Sequence, residues 1–91
     1  MSKQLNVPTQ LKKVLDNQDT IQVQGNTIKE VIDELDGRYN GVAARMINKE
    51  GKINKFLLFF VNEEDIRFLQ NENTPLKDGD VITIIPAIAG G

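Results

Sequence analysis

Polar and apolar residues alternate through Thr20-Ile21-Gln22-Val23-Gln24, which puts Ile21 and Val23 on one face of a strand that Gly25-Asn26 interrupts. Leu5 and Val7 share a parity within residues 3–8, so a shorter strand is expected there, ended by Pro8 and Thr9. Between the two, residues 11–15 form a turn of helix or an ordered loop, and Asp16-Asn17-Gln18-Asp19 is a turn cluster. After Asn26 the period changes to that of a helix. Thr27 stands at the N-cap and Glu30 follows three residues later, a capping box in which each side chain satisfies the other residue's backbone N–H. Ile28, Val31, Ile32 and Leu35 share one helical face; Lys29, Glu30, Asp33 and Glu34 share the other. Gly37 is placed to end this helix in the left-handed conformation. Residues 41–47 allow a second helical turn with Val42 and Met46 inward, and residues 48–52 form a loop.

Residues 56–61 are a continuous apolar strand. Residues 62–65 turn the chain, Ile66-Arg67-Phe68 is a short return strand, and residues 70–74 are polar and expected to be mobile. Asp78-Gly79-Asp80 is a tight turn that uses glycine for a positive φ. Residues 81–85 are the final strand, which Pro86 ends because it has no N–H to donate. The order predicts an α+β domain over residues 1–86, with a mixed sheet of about five strands packed on one main helix. Its two apolar end strands would pair in the centre, giving a β-grasp (ubiquitin-like) arrangement, although the order is also compatible with other α+β folds. Residues 87–91 would be a flexible tail.

Both apolar strands carry hydrophobic residues on both parities. Leu57, Phe59, Ile82 and Ile84 are expected under the helix, with Phe56, Leu58, Phe60, Val81 and Ile85 pointing away. Either residues 11–15 or 41–47 cover this second face, or it is a docking patch for a partner beside the tail.

Composition narrows the chemistry. The chain has 91 residues, one domain with a small core and little room for an enclosed pocket. It contains no cysteine and no histidine, which removes Cys/His zinc sites, disulfides, His-based triads, cysteine nucleophiles and a side-chain persulfide. A net charge of −2 gives no support to nucleic-acid binding. Glu63, Glu64, Asp65 and Arg67 read as a solvated hairpin end, and Asp78 and Asp80 as bonding the local backbone; no metal or catalytic role is assigned to any of them. No apolar stretch is long enough to cross a membrane and the N-terminus lacks a secretory apolar run, so the expected compartment is the cytoplasm.

The C-terminal third carries a resemblance: residues 61–68, Thr74-Pro75-Leu76-Lys77-Asp78-Gly79-Asp80, and Ile84-Ile85-Pro86-Ala87-Ile88-Ala89-Gly90-Gly91. It resembles the MoaD/ThiS family of ubiquitin-like sulfur carriers, most of all the CysO-like branch that serves cysteine biosynthesis. The resemblance implies a carrier, not an enzyme, with no bound cofactor. A MoeB/ThiF-like activating enzyme would use ATP to adenylate the Gly91 carboxylate, and a sulfur donor would replace the adenylate to leave a thiocarboxylate. Ala87, Ile88, Ala89 and Gly90 would thread into the partner. The implied acceptor is a pyridoxal-phosphate cysteine synthase followed by a metallopeptidase, or else molybdopterin synthase or thiazole synthase; tRNA thiolation uses similar carriers. Glycine suits such an end because it lacks a Cβ, passes a narrow channel and leaves the sulfur unhindered. A ubiquitin-like modifier joined through Gly91 to lysines, or a non-covalent regulatory β-grasp domain with an inert tail, are the competing readings.

Overall fold

The computed structural model describes residues 2–86, so the expected tail, residues 87–91, lies outside the described residues. The chain runs through strands β1 (Lys3–Asn6) and β2 (Thr20–Val23), helices α1 (Ile28–Arg38) and α2 (Val42–Met46), then β3 (Leu57–Val61), β4 (Glu64–Asp65) and β5 (Val81–Pro86). The strands form one sheet in the order β2-β1-β5-β3-β4. β1 and β5 lie parallel in its centre, with Leu5 opposite Ile82, and every other pair is antiparallel. This is the β-grasp arrangement, with the first and last strands joined beneath one long helix.

Period-2 burial built the sheet and period-3.6 burial built the helix. Leu5, Ile21, Val23, Phe59, Val61, Ile82 and Ile84 cluster with Ile28, Val31, Ile32 and Leu35 of α1, all buried. Lys3 shares this face and is only 4% exposed. Its stem lies at the core's edge while Nζ donates to Gln24 O at 3.1 Å and Asn26 Oδ1 at 3.3 Å. Leu11 and Leu15, in a 3₁₀ turn and the turns that follow it, and Val42 and Met46 of α2 enter the same cluster. Both segments that could have covered the second sheet face therefore fold on the helix side. Among the described residues no helix is long and apolar enough to cross a membrane.

Thr27 caps α1 as expected, its Oγ1 accepting from Glu30 N at 3.1 Å. The return bond reaches one residue further back, from Asn26 N to Glu30 Oε1 at 2.9 Å. The backbone around Thr27 is held instead by a bridge to Pro75, flanked by bonds from Ile28 N to Thr74 O and from Leu76 N to Asn26 O.

Three local expectations are corrected. Gly37 does not terminate α1 but lies inside it; Tyr39 is the C-cap, and the left-handed glycine is Gly41, φ +82°, at the start of α2. Side-chain bonds carry the helix past Gly37: Arg38 Nη1 donates to Gln22 O of β2 and to Glu34 one turn back, and the Asp36 carboxylate accepts from Ala43 N of α2. Ile66–Phe68 is a 3₁₀ turn, not a strand, because the Asp65 carboxylate caps it by accepting from Arg67 N at 2.8 Å. The return strand is β4, entered through a two-residue turn in which Asn62 and Glu63 both have positive φ. Residues 70–74 are ordered: Asn71–Asn73 is a 3₁₀ turn, Thr74 is buried, and its hydroxyl accepts from Gln70 N. Gly79 has the positive φ expected of it, +86°. Asp80 bonds Lys77 N and also Asn62 Nδ2, each at 2.8 Å, and so ties the β3–β4 turn to the start of β5.

Candidate functional site

The strands' second parity forms an open face with two halves. On β2, β1 and the middle of β5 it is polar: Gln4 Nε2 donates to Asn6 Oδ1 at 2.9 Å, and Asn6 Nδ2 to Thr83 Oγ1 at 3.3 Å. On β5 and β3 it is apolar. Leu58 stands opposite Ile85, and Phe60 is flanked by Thr83 and by Asp65 of β4. Ile85 is 44% exposed; Leu58, Phe60 and Val81 are half-buried, and none of the four belongs to the core cluster.

The register fixes what stands beside Pro86, the last described residue. Pro86 pairs with Leu57, so Leu58 and Ile85 stand at the base of the expected tail and Phe60 is the next residue along on the same face. Val81, grouped with them by parity, lies five residues up β5, about 17 Å away, and is not at that base. Phe56 precedes β3 rather than belonging to it; it is 49% exposed, with the Lys55 ammonium 5.7 Å from its ring centroid. Ala87, Ile88, Ala89, Gly90 and Gly91, expected to thread into a partner and carry sulfur, lie outside the described residues.

Of the solvated hairpin end expected at β4, Glu63, Glu64 and Arg67 are exposed, and Asp65 is the exception. Asp65 is 9% exposed, and its carboxylate takes Arg67 Nη2 at 2.7 Å and Nε at 3.0 Å. These hydrogen bonds, helped by the Arg67 amide and by the guanidinium's charge, outweigh burial and hold the Asp65 carboxyl below the usual carboxylate range. Beside this pair, along the part of β3 that β4 does not cover, opens a surface cleft of about 350 Å³ with Leu57, Leu58 and Phe59 along it. Lys52, Lys55 and Arg67 line it too. It is roomier than the small core suggested, because it lies against the sheet's edge and not inside the core. Among the described residues no group of three or more acidic side chains is arranged to hold a metal ion. Among the described residues the second face offers an apolar strip of Leu58, Phe60 and Ile85 that ends beside Pro86.

Residues 5–91, Gly90 and Gly91 included, match the family model described as the ThiS family. The chain belongs to the ThiS family. Among its relatives it is 36% identical over 93 aligned positions to the sulfur carrier protein CysO of Mycobacterium tuberculosis (strain ATCC 25618 / H37Rv), covering all of both chains. The crystal structure of M. tuberculosis CysO superposes with a TM-score of 0.89 at 33% identity, over 94% of this chain and 99% of that one. A chain of the Amycolatopsis orientalis BexX/CysO complex gives 0.89 at 36% identity, over 98% and 99%. Small archaeal modifier protein 3 of Haloferax volcanii is 31% identical, over 71% of this chain and 70% of its own.

The basic side chains of the cleft escaped the sequence reading. Lys52 and Lys55 precede β3 and Arg67 follows β4, so no run of charge announced them; only the Asp65-x-Arg67 spacing after a turn hinted at one.

Proposed function

We propose that this chain is a sulfur carrier of the CysO kind, acting in cysteine biosynthesis through the Gly91 carboxylate. The observation that carries the reading is the ThiS-family match that runs to Gly91, joined to full-length similarity to a sulfur carrier. A Gly91 carboxylate oxygen attacks the α-phosphorus of ATP in a MoeB/ThiF-like enzyme, and pyrophosphate leaves. A donor's sulfide then attacks the acyl carbon, AMP leaves with the bridging oxygen, and a thiocarboxylate remains. The sulfur goes to a cysteine-synthase-like acceptor, and a metallopeptidase releases the product from the carrier. No side-chain acid or base of the carrier is needed, which suits a chain without cysteine or histidine. The apolar strip of Leu58, Phe60 and Ile85 at the tail's base docks the partner and aims the tail. The BexX/CysO complex, in which a similar carrier is crystallised with another protein, supports a partner-docking role.

Incubation with a competent activating enzyme, ATP and a sulfide source should replace one oxygen of the protein by sulfur, read by intact mass. Deleting Gly91 should abolish that change and leave the melting temperature alone. A parent protein that stays unmodified with an enzyme proven active on it would end the carrier reading. The Haloferax modifier protein favours a second reading, conjugation through Gly91 to lysines; an isopeptide-linked product in place of the free thiocarboxylate would select it.

A further inference from the structure

We infer that the partner surface gripping this sheet is acidic, presenting carboxylates to a basic rim made by Lys52, Lys55 and Arg67. The inference rests on the carrier reading and adds the chemistry of the partner's contact surface. The open face is bounded differently on its two sides. Towards β2 and β1 its amides bond one another and offer nothing apolar. Towards β4 the apolar strip runs through Leu58 into the 350 Å³ cleft, whose rim carries the three basic side chains.

The two carboxylates that line the cleft are already engaged. Asp65 holds Arg67 at 2.7 Å, and Glu72 lies 3.5 Å from Lys52. Among the described residues Lys55 makes no ion pair within 4.0 Å, and its ammonium stands over the exposed Phe56 ring. Arg67 gives Nε and Nη2 to Asp65, while Nη1 makes no bond among the described residues and the side chain is 62% exposed. Asp65 thus fixes the guanidinium at the rim with donors to spare, the posture in which arginine receives a planar carboxylate. Three basic groups against two neutralised acids leave a local positive excess on a chain whose net charge is −2. A carboxylate entering there meets free donors beside an apolar floor, and closing the interface around them removes the water that screens them.

The test is affinity for the cognate activating enzyme at about 50 and about 500 mM salt. Binding of the parent should weaken about tenfold across that range. Lys55→Glu and Arg67→Glu should each weaken binding about tenfold at low salt and flatten the salt dependence. Lys29→Glu makes the same charge change on the outer face of α1 and should do neither. Lys55 has no ion pair to lose within the described residues, so it remains decisive if Arg67→Glu unfolds. Salt-independent binding, or Lys55→Glu binding like the parent, overturns the acidic partner surface. Sulfur loading at saturating enzyme would then still proceed, leaving the carrier reading intact, whereas a parent that never loads defeats the carrier reading itself.

Discussion

Ile84 and Ile85 are chemically identical neighbours on β5, yet one is 3% exposed under α1 and the other 44% exposed on the open face. The same substitution, Ile→Asp, should therefore make two different proteins. At Ile84 truncation alone costs about 2–5 kcal/mol. The carboxylate would also sit beside Phe59 without a partner, adding about 1–3 kcal/mol. A domain of this size is stabilised by only about 5–14 kcal/mol in total, so most of its margin would vanish. At Ile85 only about half of the roughly 1.5–3 kcal/mol for full burial is in place, so the loss is about 0.8–1.5 kcal/mol. That corresponds to a fall in melting temperature of about 3–12 °C. Thermal melts followed by far-UV circular dichroism separate the two, and affinity for the activating enzyme completes the comparison. Ile84→Asp should be largely unfolded, whereas Ile85→Asp should be folded but weak in binding. If Ile85→Asp melts as low as Ile84→Asp, the open face is core and the docking surface lies elsewhere; if it folds and binds like the parent, the strip has no part in docking.

Two glycines should respond in opposite senses to the same change. A Cβ on Gly25 would stand 2.6 Å from Val31 N and 2.8 Å from the Glu30 carbonyl carbon, so Gly25→Ala must push α1 off the sheet at about 1–3 kcal/mol. A Cβ on Gly37 meets nothing within 4 Å, and alanine inside a helix should add about 0.5–1 kcal/mol; melting shifts of the same sign would refute this account. The Asp65–Arg67 pair should appear in the pH dependence of stability. Arg67 depresses the Asp65 pKa in the folded state, so the pair stabilises the fold above the unfolded value of about 3.9. That stability is lost as pH falls through the lower folded value. Carboxyl NMR should place the Asp65 midpoint below the usual range and Arg67→Gln should raise it; an unchanged midpoint would show that the ion pair does not form in solution.

The parts of this fold that were legible in the sequence are those set by periodicity. Thr27 with Glu30 announced α1, and the alternating parities at β3 and β5 separated Phe59 and Ile84 from Phe60 and Ile85 because burial follows the pleat. What escaped was decided by individual hydrogen bonds that no periodicity announces. α1 outruns Gly37 through bonds from Arg38 to the Gln22 carbonyl and from the Ala43 amide to the Asp36 carboxylate. Residues 70–74 are ordered because Thr74 O takes the amide of Ile28, across the whole middle of the chain. Ile66–Phe68 was too short to show a period, and one carboxylate decided its form. Of the candidate site, Gly90 and Gly91 lie outside the described residues, and the rim was not legible in the sequence, since its cations converge from either side of β3 and β4.

The parallel pairing of β1 with β5 sets when this molecule becomes competent. Gln4 and Val81 are partners 77 positions apart (81 minus 4), so nearly the whole chain must close on itself before the centre of the sheet exists. Until β5 arrives, β1 pairs only with β2 and β3 only with β4, with no strand linking the two ribbons. β5 both joins them and carries Ile85, the partner of Leu58. A chain lacking β5 therefore has neither a closed sheet nor the Leu58–Ile85 pair of the open face, and a partner that grips that pair meets only molecules whose sheet is complete.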